Sequence, residues 1–193
     1  MKGNLRISGG RRLQSPNGIT TRPTTARVRE AVMNLLAERL KNCDWLDLYS
    51  GSGVMGCEAL LRGAQNVVAV EKNRQTAQIC KSNLISIATP LNKQEHIEVF
   101  CNEVMSFIGD GFHQLKKTKL SSESFDIVYC DPPYGSDIYP RLLVKLLEGN
   151  WLRKGSIVIY EHSSKTTLTT PKDWREIKRR IYGTSAVLLV SPP

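Results

Sequence analysis

The chain has 193 residues and a mass of 21.6 kDa, a size that suits one domain with a sizeable core. Its net charge of +9, from 27 Lys and Arg against 18 Asp and Glu, indicates a polyanionic partner. No apolar run approaches the ~20 residues of a membrane span, and the first residues lack the apolar stretch of a signal peptide. The 5 cysteines and 3 histidines have the spacing of neither a disulfide framework nor a zinc site, so we expect a cytoplasmic chain with reduced core cysteines and no metal.

The first 41 residues read as a basic arm followed by a helix. Residues 1–45 contain nine Lys or Arg against three acids, so most of the excess charge lies in the first quarter of the chain. Apolar residues at helical spacing predict a helix from Thr25 to Lys41. The planar fork of arginine matches phosphate, which favours RNA binding by the arm, although a solvated basic tail is the alternative. Arg29 belongs to the same run, and the predicted RNA ligands are Arg6, Arg11, Arg12, Arg22 and Arg27.

A glycine-rich turn follows the buried apolar strand predicted at 44–49. Residues 50–56 read Ser-Gly-Ser-Gly-Val-Met-Gly and lead into a helical pattern. Such a turn lets a ligand approach the backbone and the free N–H groups of the helix start, so Ser50, Gly51 and Gly53 are candidate cofactor contacts. Taken alone, the turn fits a dinucleotide site equally well.

Asp47 decides between these two ligands. A carboxylate beside the glycines would repel a pyrophosphate, whereas it would attract a cationic ligand such as S-adenosylmethionine, which has a sulfonium, an ammonium and no phosphate. Glu71, just after the strand at 66–70, is placed to meet ribose hydroxyls. The alternative for Asp47 is an acid that caps a helix or a turn.

The sequence Asp131-Pro132-Pro133-Tyr134 follows another apolar strand at 126–130. Two adjacent prolines make a rigid turn without N–H donors. The Asp131 carboxylate and the Pro132 carbonyl can both accept hydrogen bonds from one NH2 group, and Tyr134 can stack on a flat base. The alternative is a strand-ending turn that binds nothing.

Short apolar strands alternate with helical segments along the chain. We place strands near 44–49, 67–71, 97–101, 126–130 and 156–160, which predicts an α/β fold with a parallel sheet and helices on both faces. Ligands bind such sheets at the carboxyl ends of the strands. Four acids lie at predicted strand ends: Asp47, Glu71, Glu103 and Asp131.

Together these motifs carry a resemblance. Residues 47–53 with 131–134 resemble the amino-directed class I methyltransferases. Residues 6–10 (Arg-Ile-Ser-Gly-Gly) and 22–30 (Arg-Pro-Thr-Thr-Ala-Arg-Val-Arg-Glu) resemble the opening of the RsmD-like family, and the similarity continues to Tyr160-Glu161-His162. Members of that family methylate the N2 amine of a guanine in 16S ribosomal RNA.

The resemblance implies a Rossmann-like class I methyltransferase domain at 42–193, preceded by the arm and helix at 1–41 as an RNA-binding appendage. It also implies a closing antiparallel hairpin from 174–181 and 185–190, and an adenine contact at Asn102 or Glu103. The implied enzyme is a cytoplasmic monomer that uses S-adenosylmethionine, with 16S rRNA as substrate, alone or in a partly assembled small subunit.

Two other functions fit parts of the sequence. An adenine-N6 methyltransferase acting on DNA or another RNA would use the same amine-holding turn, but a DNA enzyme generally needs a recognition domain for which this chain has no spare length. A non-enzymatic RNA-binding or assembly protein would explain the arginines but not the acids at the strand ends. The cofactor pocket, built from residue 47 onward, is expected to be indifferent to replacement of the arm's arginines. The alternative is that these arginines pin the arm to the acidic strand-end edge of the catalytic domain.

Overall fold

The computed structural model describes residues 4–16, 25–120, 122, 124–133 and 138–193. Within these residues, a seven-stranded sheet is covered by α-helices on both faces, and a two-stranded hairpin packs beside it. The strands are β1 (Asn4–Arg6), β2 (Arg12–Gln14), β3 (Asp44–Leu48), β4 (Asn66–Val70), β5 (Ile97–Phe100), β6 (Phe125–Cys130), β7 (Leu152–Ser163), β8 (Arg175–Tyr182) and β9 (Ser185–Ser191). The α-helices are α1 (Ala26–Leu35), α2 (Val54–Leu61), α3 (Arg74–Ala88), α4 (Val104–Gly109) and α5 (Tyr139–Glu148).

The sheet has the order β5-β4-β3-β6-β7-β9-β8. The pairs from β5 to β7 are parallel, and β9 lies antiparallel between β7 and β8. The predicted α/β fold and its closing hairpin are therefore confirmed. Strand β7 is longer than the predicted 156–160 at both ends: residues 152–155 precede that stretch, and residues 161–163 continue it by pairing with β9.

Both faces of the sheet are buried, which explains why its central strands consist mainly of apolar residues. Trp45, Tyr129 and Ile159 belong to a cluster that includes residues of α1, α2 and α3, and we call this side of the sheet the α1 face. Leu46, Val128 and their neighbours point to the opposite face, where they pack against α4 and α5. Alternate residues of a strand thus point to different helix layers.

The helix predicted from Thr25 to Lys41 is shorter than expected. Helix α1 ends at Leu35, and a 3-10 turn follows at Ala37–Arg39, so the prediction was wrong over the last residues. The tighter turn still buries both Leu36 and Leu40, each 1% exposed. Apolar spacing alone could not distinguish the two conformations, because both bring these leucines to the core.

The β1–β2 hairpin is attached to the α1 face by apolar residues. Ile7 and Leu13 are 5% and 2% exposed and belong to the same cluster as Val28 of α1 and Met55 of α2. The arm between residues 4 and 14 is therefore packed rather than a solvated tail. The division of the chain at residue 41 stays a prediction.

The cysteines were expected in the core. Cys43, Cys57, Cys80 and Cys130 are buried free thiols, as predicted, but Cys101 is exposed. It follows β5 directly, at the solvent-facing end of the sheet, so the expectation was wrong there. Among the described residues, no group of His, Cys, Asp and Glu could hold a metal ion, and no helix is long and apolar enough to cross a bilayer.

The strand order places a crevice next to β3. The chain moves outward from β3 to β4 and β5 and then returns to β6 on the other side of β3. Ligands of open α/β sheets bind at such a reversal, beyond the carboxyl ends of the strands. The glycine turn follows β3 and the Asp131 turn follows β6, so both predicted motifs border this crevice.

Candidate active site at the carboxyl edge of the sheet

The turn after β3 depends on its glycines. Gly51 and Gly53 have φ angles of +53° and +76°, in the left-handed region that glycine adopts most easily. A Cβ on Gly53 would lie 2.6 Å from Cys80 Sγ, whereas one on Gly51 would meet nothing within 4 Å. Gly53 is therefore required by packing as well as by backbone conformation. Gly51 faces open space, as expected where a ligand approaches the backbone.

Asp47 lies beneath this turn rather than at its surface. Asp47 is only 1% exposed, and its Oδ2 accepts a hydrogen bond from the Gly56 N–H at 3.1 Å. Burial raises the pKa of the Asp47 carboxyl well above its ordinary value, the Gly56 N–H partly opposes this, and the negative charges of Asp131 and Glu71 add to it. A nearby cation would relieve this cost, so the site is electrostatically suited to a sulfonium or an ammonium.

Glu71 connects the end of β4 to the glycine turn. Its Oε2 accepts from the Gly51 N–H at 3.1 Å, and its Oε1 accepts from the Asn73 N–H at 2.8 Å. These two donors fix the position of a half-buried carboxylate, and each oxygen retains a lone pair for a further donor. The geometry thus suits a contact with ribose hydroxyls while giving Glu71 a structural role that the sequence did not reveal.

The two candidate adenine ligands follow β5. Asn102 Oδ1 accepts from the Glu103 N–H at 2.8 Å, and Glu103 caps α4 by accepting from the Ser106 N–H through Oε2 at 2.7 Å. Both residues are thus already engaged by backbone donors. Glu103 Oε1 has no hydrogen-bond partner among the described residues, which leaves a carboxylate oxygen able to accept from an amine.

The turn predicted to hold an amine begins directly after β6. Asp131 is half-buried, and its N–H lies 3.4 Å from the Leu48 carbonyl oxygen at the end of the neighbouring β3. Pro132 is buried and Pro133 is exposed. Tyr134, the predicted stacking residue, lies outside the described residues, as does Arg22 of the arm. The structure therefore brings Asp131 and Pro132 to the crevice beside the glycine turn.

Sequence reasoning gave no role to a further acid at this edge. Tyr129 Oη donates to Glu161 Oε2 at 2.5 Å, and both residues are at most 2% exposed. Glu161 follows Tyr160, which pairs with Cys130, so it lies alongside Asp131. Glu161 lies within β7, but in the sequence it directly follows the apolar run 156–160, as Glu71 and Asp131 follow theirs, and this pattern could have identified it.

The arm's arginines divide into two groups. The side chains of Arg6, Arg11, Arg12 and Arg27 are exposed. Arg29, in contrast, is 6% exposed; its Nε pairs with Glu58 Oε1 at 3.0 Å, and its Nη2 donates to the Arg6 carbonyl at 2.7 Å. Arg29 therefore attaches the hairpin to α2 and is not available to phosphate.

Glu58 is the partner that holds this part of the arm. Its Oε1 also accepts from the Ser8 N–H at 3.1 Å, and Arg62 forms a second ion pair with it. Burial opposes ionisation of the Glu58 carboxyl, but the donors of Ser8 and the Arg62 guanidinium outweigh burial and lower its pKa. The hairpin thus docks on a buried carboxylate of the helix that begins at the glycine turn.

Asn83 of α3 makes a second connection, directly to the turn. Its Oδ1 accepts from the Gln14 N–H at 2.9 Å, while its Nδ2 donates to the Gln14 carbonyl at 3.0 Å and to the Ser52 carbonyl at 2.9 Å. Asn83 is 2% exposed, so its own side-chain amide is shielded from water, whereas Gln14 is exposed. The arm and the candidate cofactor turn are therefore both bonded to one amide of α3. Whether loss of the arm's arginines leaves the cofactor pocket unaffected stays a prediction.

Comparison with known proteins places the chain in a family. A family model described as "Conserved hypothetical protein 95" matches residues 5–191. The chain belongs to this family. The resemblance to the RsmD-like family is thereby confirmed, because curated proteins similar to this chain are named "Ribosomal RNA small subunit methyltransferase D".

Two relatives and one solved structure illustrate the similarity. "Ribosomal RNA small subunit methyltransferase D" of Haemophilus influenzae is 30% identical over 186 residues, covering 94% of this chain and 91% of the relative. The protein of the same name from Buchnera aphidicola is 29% identical, covering 94% and 86%. The structure of Escherichia coli yhhF superposes with a TM-score of 0.77 at 29% identity and covers 98% of each chain. The class I methyltransferase fold is shared along the whole length.

Proposed function

We propose that the protein is an S-adenosylmethionine-dependent methyltransferase that modifies the N2 amine of a guanine in 16S ribosomal RNA. The observation that carries the proposal is the arrangement of Asp131 and Pro132 at the crevice beside the glycine turn of β3. An amine acceptor and a cofactor turn on neighbouring strands are what direct transfer requires. The names of the relatives add the class of RNA.

The cofactor end of the site is formed by residues of β3, β4 and the segment after β5. The Ser50–Gly53 turn would meet the methionine part above Asp47, Glu71 the ribose, and Glu103 or Asn102 the adenine. The buried carboxyl of Asp47, whose ionised form a cation would stabilise, and the open space at Gly51 support this assignment. When bound, S-adenosylmethionine supplies an electrophilic methyl group on a positively charged sulfur.

The substrate end is formed by the turn after β6. The lone pair of an exocyclic amine is delocalised into the base, so the nitrogen becomes a nucleophile only when its hydrogens are held out of the ring plane. The Asp131 carboxylate and the Pro132 carbonyl are the acceptors for those hydrogens, and Tyr134 stacks on the extruded base. The amine loses one proton in the reaction, and Asp131 is the group placed to accept it.

Exposed arginines of the arm bind phosphates of the RNA in this proposal. Arg6, Arg11, Arg12 and Arg27 are exposed on a hairpin and helix that pack on the catalytic domain, so the positive charge is held in a defined place. Arg22 has the same role. The protein acts as a monomer in the cytoplasm, on rRNA that is either free or part of an incompletely assembled small subunit.

The test is methyl transfer to 16S rRNA followed by mass spectrometry of the nucleosides. Labelled S-adenosylmethionine is supplied with naked rRNA and with partly assembled subunits, both from cells that lack the gene. We expect N2-methylguanosine in at least one of them. N6-methyladenosine would identify the alternative enzyme, and absence of S-adenosylmethionine binding by calorimetry would favour a non-enzymatic RNA-binding protein.

A further inference from the structure

The edge strand β8 carries a concentration of positive charge far from the arm in sequence. It contains four cations, at positions 175, 178, 179 and 180, and one acid, Glu176. Glu176 is already paired with Arg179 at 2.9 Å, and Arg179 also donates to the Leu168 carbonyl. Lys178 and Arg180 have no ion pair among the described residues. These two side chains therefore carry uncompensated charge.

The sheet register relates Lys178 to the active site. Lys178 pairs with Leu189, Leu189 with Ile159, and Ile159 with Tyr129, the strand partner of Asp47. Residues paired across neighbouring strands point to the same face of a sheet. Lys178 thus stands on the α1 face, in the same cross-strand row as Asp47.

Arg180 is related to the amine-holding turn in the same way. It pairs with Val187, which pairs with Glu161, and Glu161 lies alongside Asp131. Three strand spacings separate β6 from β8, so Arg180 stands about 14 Å from the turn along this row. The exposed Arg180 side chain is therefore on the same face and at the same level of the sheet as Asp131.

We propose that Lys178 and Arg180 form a second rRNA-binding surface, which holds the phosphates of nucleotides adjacent to the target guanosine. This inference rests on the proposed function, because it assumes that the target base enters the crevice at Asp131. A base that leaves its stack must be accompanied by its sugar and phosphate, so its neighbours run over the surface around the crevice. Two cations without ion pairs, on the same face as the crevice and with Arg180 about 14 Å from the turn, match this polyanion in charge and position.

Protection of an exposed edge is the other explanation for cations on β8, since lysines on edge strands prevent unwanted strand pairing. That role would not depend on which end of the strand carries the charge. Lys172 and Arg175 provide the comparison. Arg175 begins β8, about 17 Å along the strand from Arg180, and Lys172 precedes it. Removing either pair changes the net charge by the same amount.

The experiment compares Lys178→Ala/Arg180→Ala with Lys172→Ala/Arg175→Ala by measuring Kd for a 16S rRNA fragment at several salt concentrations. Each phosphate contact to single-stranded RNA contributes about 0.7 to the slope of log K against log salt, so the first variant should lose about 1.4 and bind roughly tenfold more weakly near physiological salt. The second variant should retain the parent slope. Melting temperature and S-adenosylmethionine affinity should be unchanged in both.

Equal slopes for the two double variants would overturn the inference. A second result would also overturn it: light scattering shows that the parent is a dimer and that Lys178→Ala/Arg180→Ala is a monomer. Strand β8 would then bind a second copy of the chain. These measurements do not need catalysis. Failure of the parent to methylate rRNA would refute the proposed function separately, while the salt slopes would still decide whether β8 binds RNA.

Discussion

Replacing Asn83 by alanine tests whether the arm and the cofactor turn depend on one another. The side chain makes three hydrogen bonds, two to the Gln14 backbone and one to the Ser52 carbonyl. At about 0.5–1.5 kcal/mol for each bond, their loss should lower the free energy of unfolding by about 1.5–4.5 kcal/mol. Asn83 itself is 2% exposed, but Gln14 is exposed and the three bonds are only partly buried, so water replaces some of them and the middle of this range is expected.

The same substitution should weaken cofactor binding. Ser52 lies in the glycine turn, and without the Asn83 donor the turn is free to adopt conformations that do not bind. If the lost bond to Ser52 contributes about 1 kcal/mol to holding the turn, affinity for S-adenosylmethionine should fall about fivefold. Calorimetry of the folded variant measures this change, and urea denaturation measures the stability.

Ser82→Ala is the matched control. Ser82 is the exposed neighbour of Asn83, and its hydroxyl makes only a long contact of 3.4 Å with the Gln14 side chain. Its removal should change stability by less than about 0.5 kcal/mol and leave cofactor affinity unaltered. Parent-like cofactor affinity in Asn83→Ala would refute coupling through this amide, even if the variant were less stable.

Three further predictions concern the acids of the crevice. Asp131→Ala should reduce the rate of methyl transfer by a factor of about 10²–10⁴, with cofactor affinity near the parent value. Asp131→Asn should have a milder effect, because its amide oxygen still accepts from the amine. Full activity of the alanine variant would mean that the turn has only a structural role. Glu71→Ala should weaken S-adenosylmethionine binding by about 1.5–3 kcal/mol in calorimetry, with NAD not bound by either protein, and unchanged affinity would contradict the ribose contact. Because folding raises the pKa of Asp47, the contribution of this carboxyl to stability is largest below its unfolded pKa and is lost as pH rises through its folded pKa. At neutral pH, Asp47→Asn should therefore be more stable to urea than the parent. The same variant should bind S-adenosylmethionine more weakly. An Asp47→Asn variant that is less stable than the parent and binds S-adenosylmethionine with parent affinity would contradict the role of Asp47 as a buried partner of the cofactor's positive charge.

The sheet could be predicted from the sequence because each central strand is short, apolar and followed by a turn or helix signal. The ends of β3 and β4 at Leu48 and Val70 agree with that pattern within a residue or so. The acids could be assigned to one edge for the same reason, since parallel strands bring their carboxyl ends together. For the sheet, the local sequence pattern and the tertiary structure agree on where the strands end.

The contacts between distant segments could not be predicted in this way. Arg29 belongs to a basic run, and only the structure shows that Glu58, far along the chain, buries and neutralises it. Asn83 lies within a helix, where the sequence distinguishes a surface amide from a buried one only by spacing. Lys178 and Arg180 lie on the same face of the sheet as Asp131 only because of the strand order β6-β7-β9-β8. That order cannot be read from any one segment of the sequence.

These long-range contacts determine how the two substrates should influence one another. If the arginines of the hairpin bind RNA, as proposed, the RNA restricts the hairpin. The hairpin is bonded to Asn83, and Asn83 is bonded to the glycine turn. If RNA orders this unit, the turn needs less ordering when the cofactor binds, so affinity for S-adenosylmethionine should rise when RNA is present. Thermodynamic reciprocity then requires that the cofactor raise affinity for RNA by the same factor. Asn83→Ala should abolish both effects together, whereas the loss of Lys178 and Arg180, which are not bonded to this unit, should weaken RNA binding and leave the coupling factor intact.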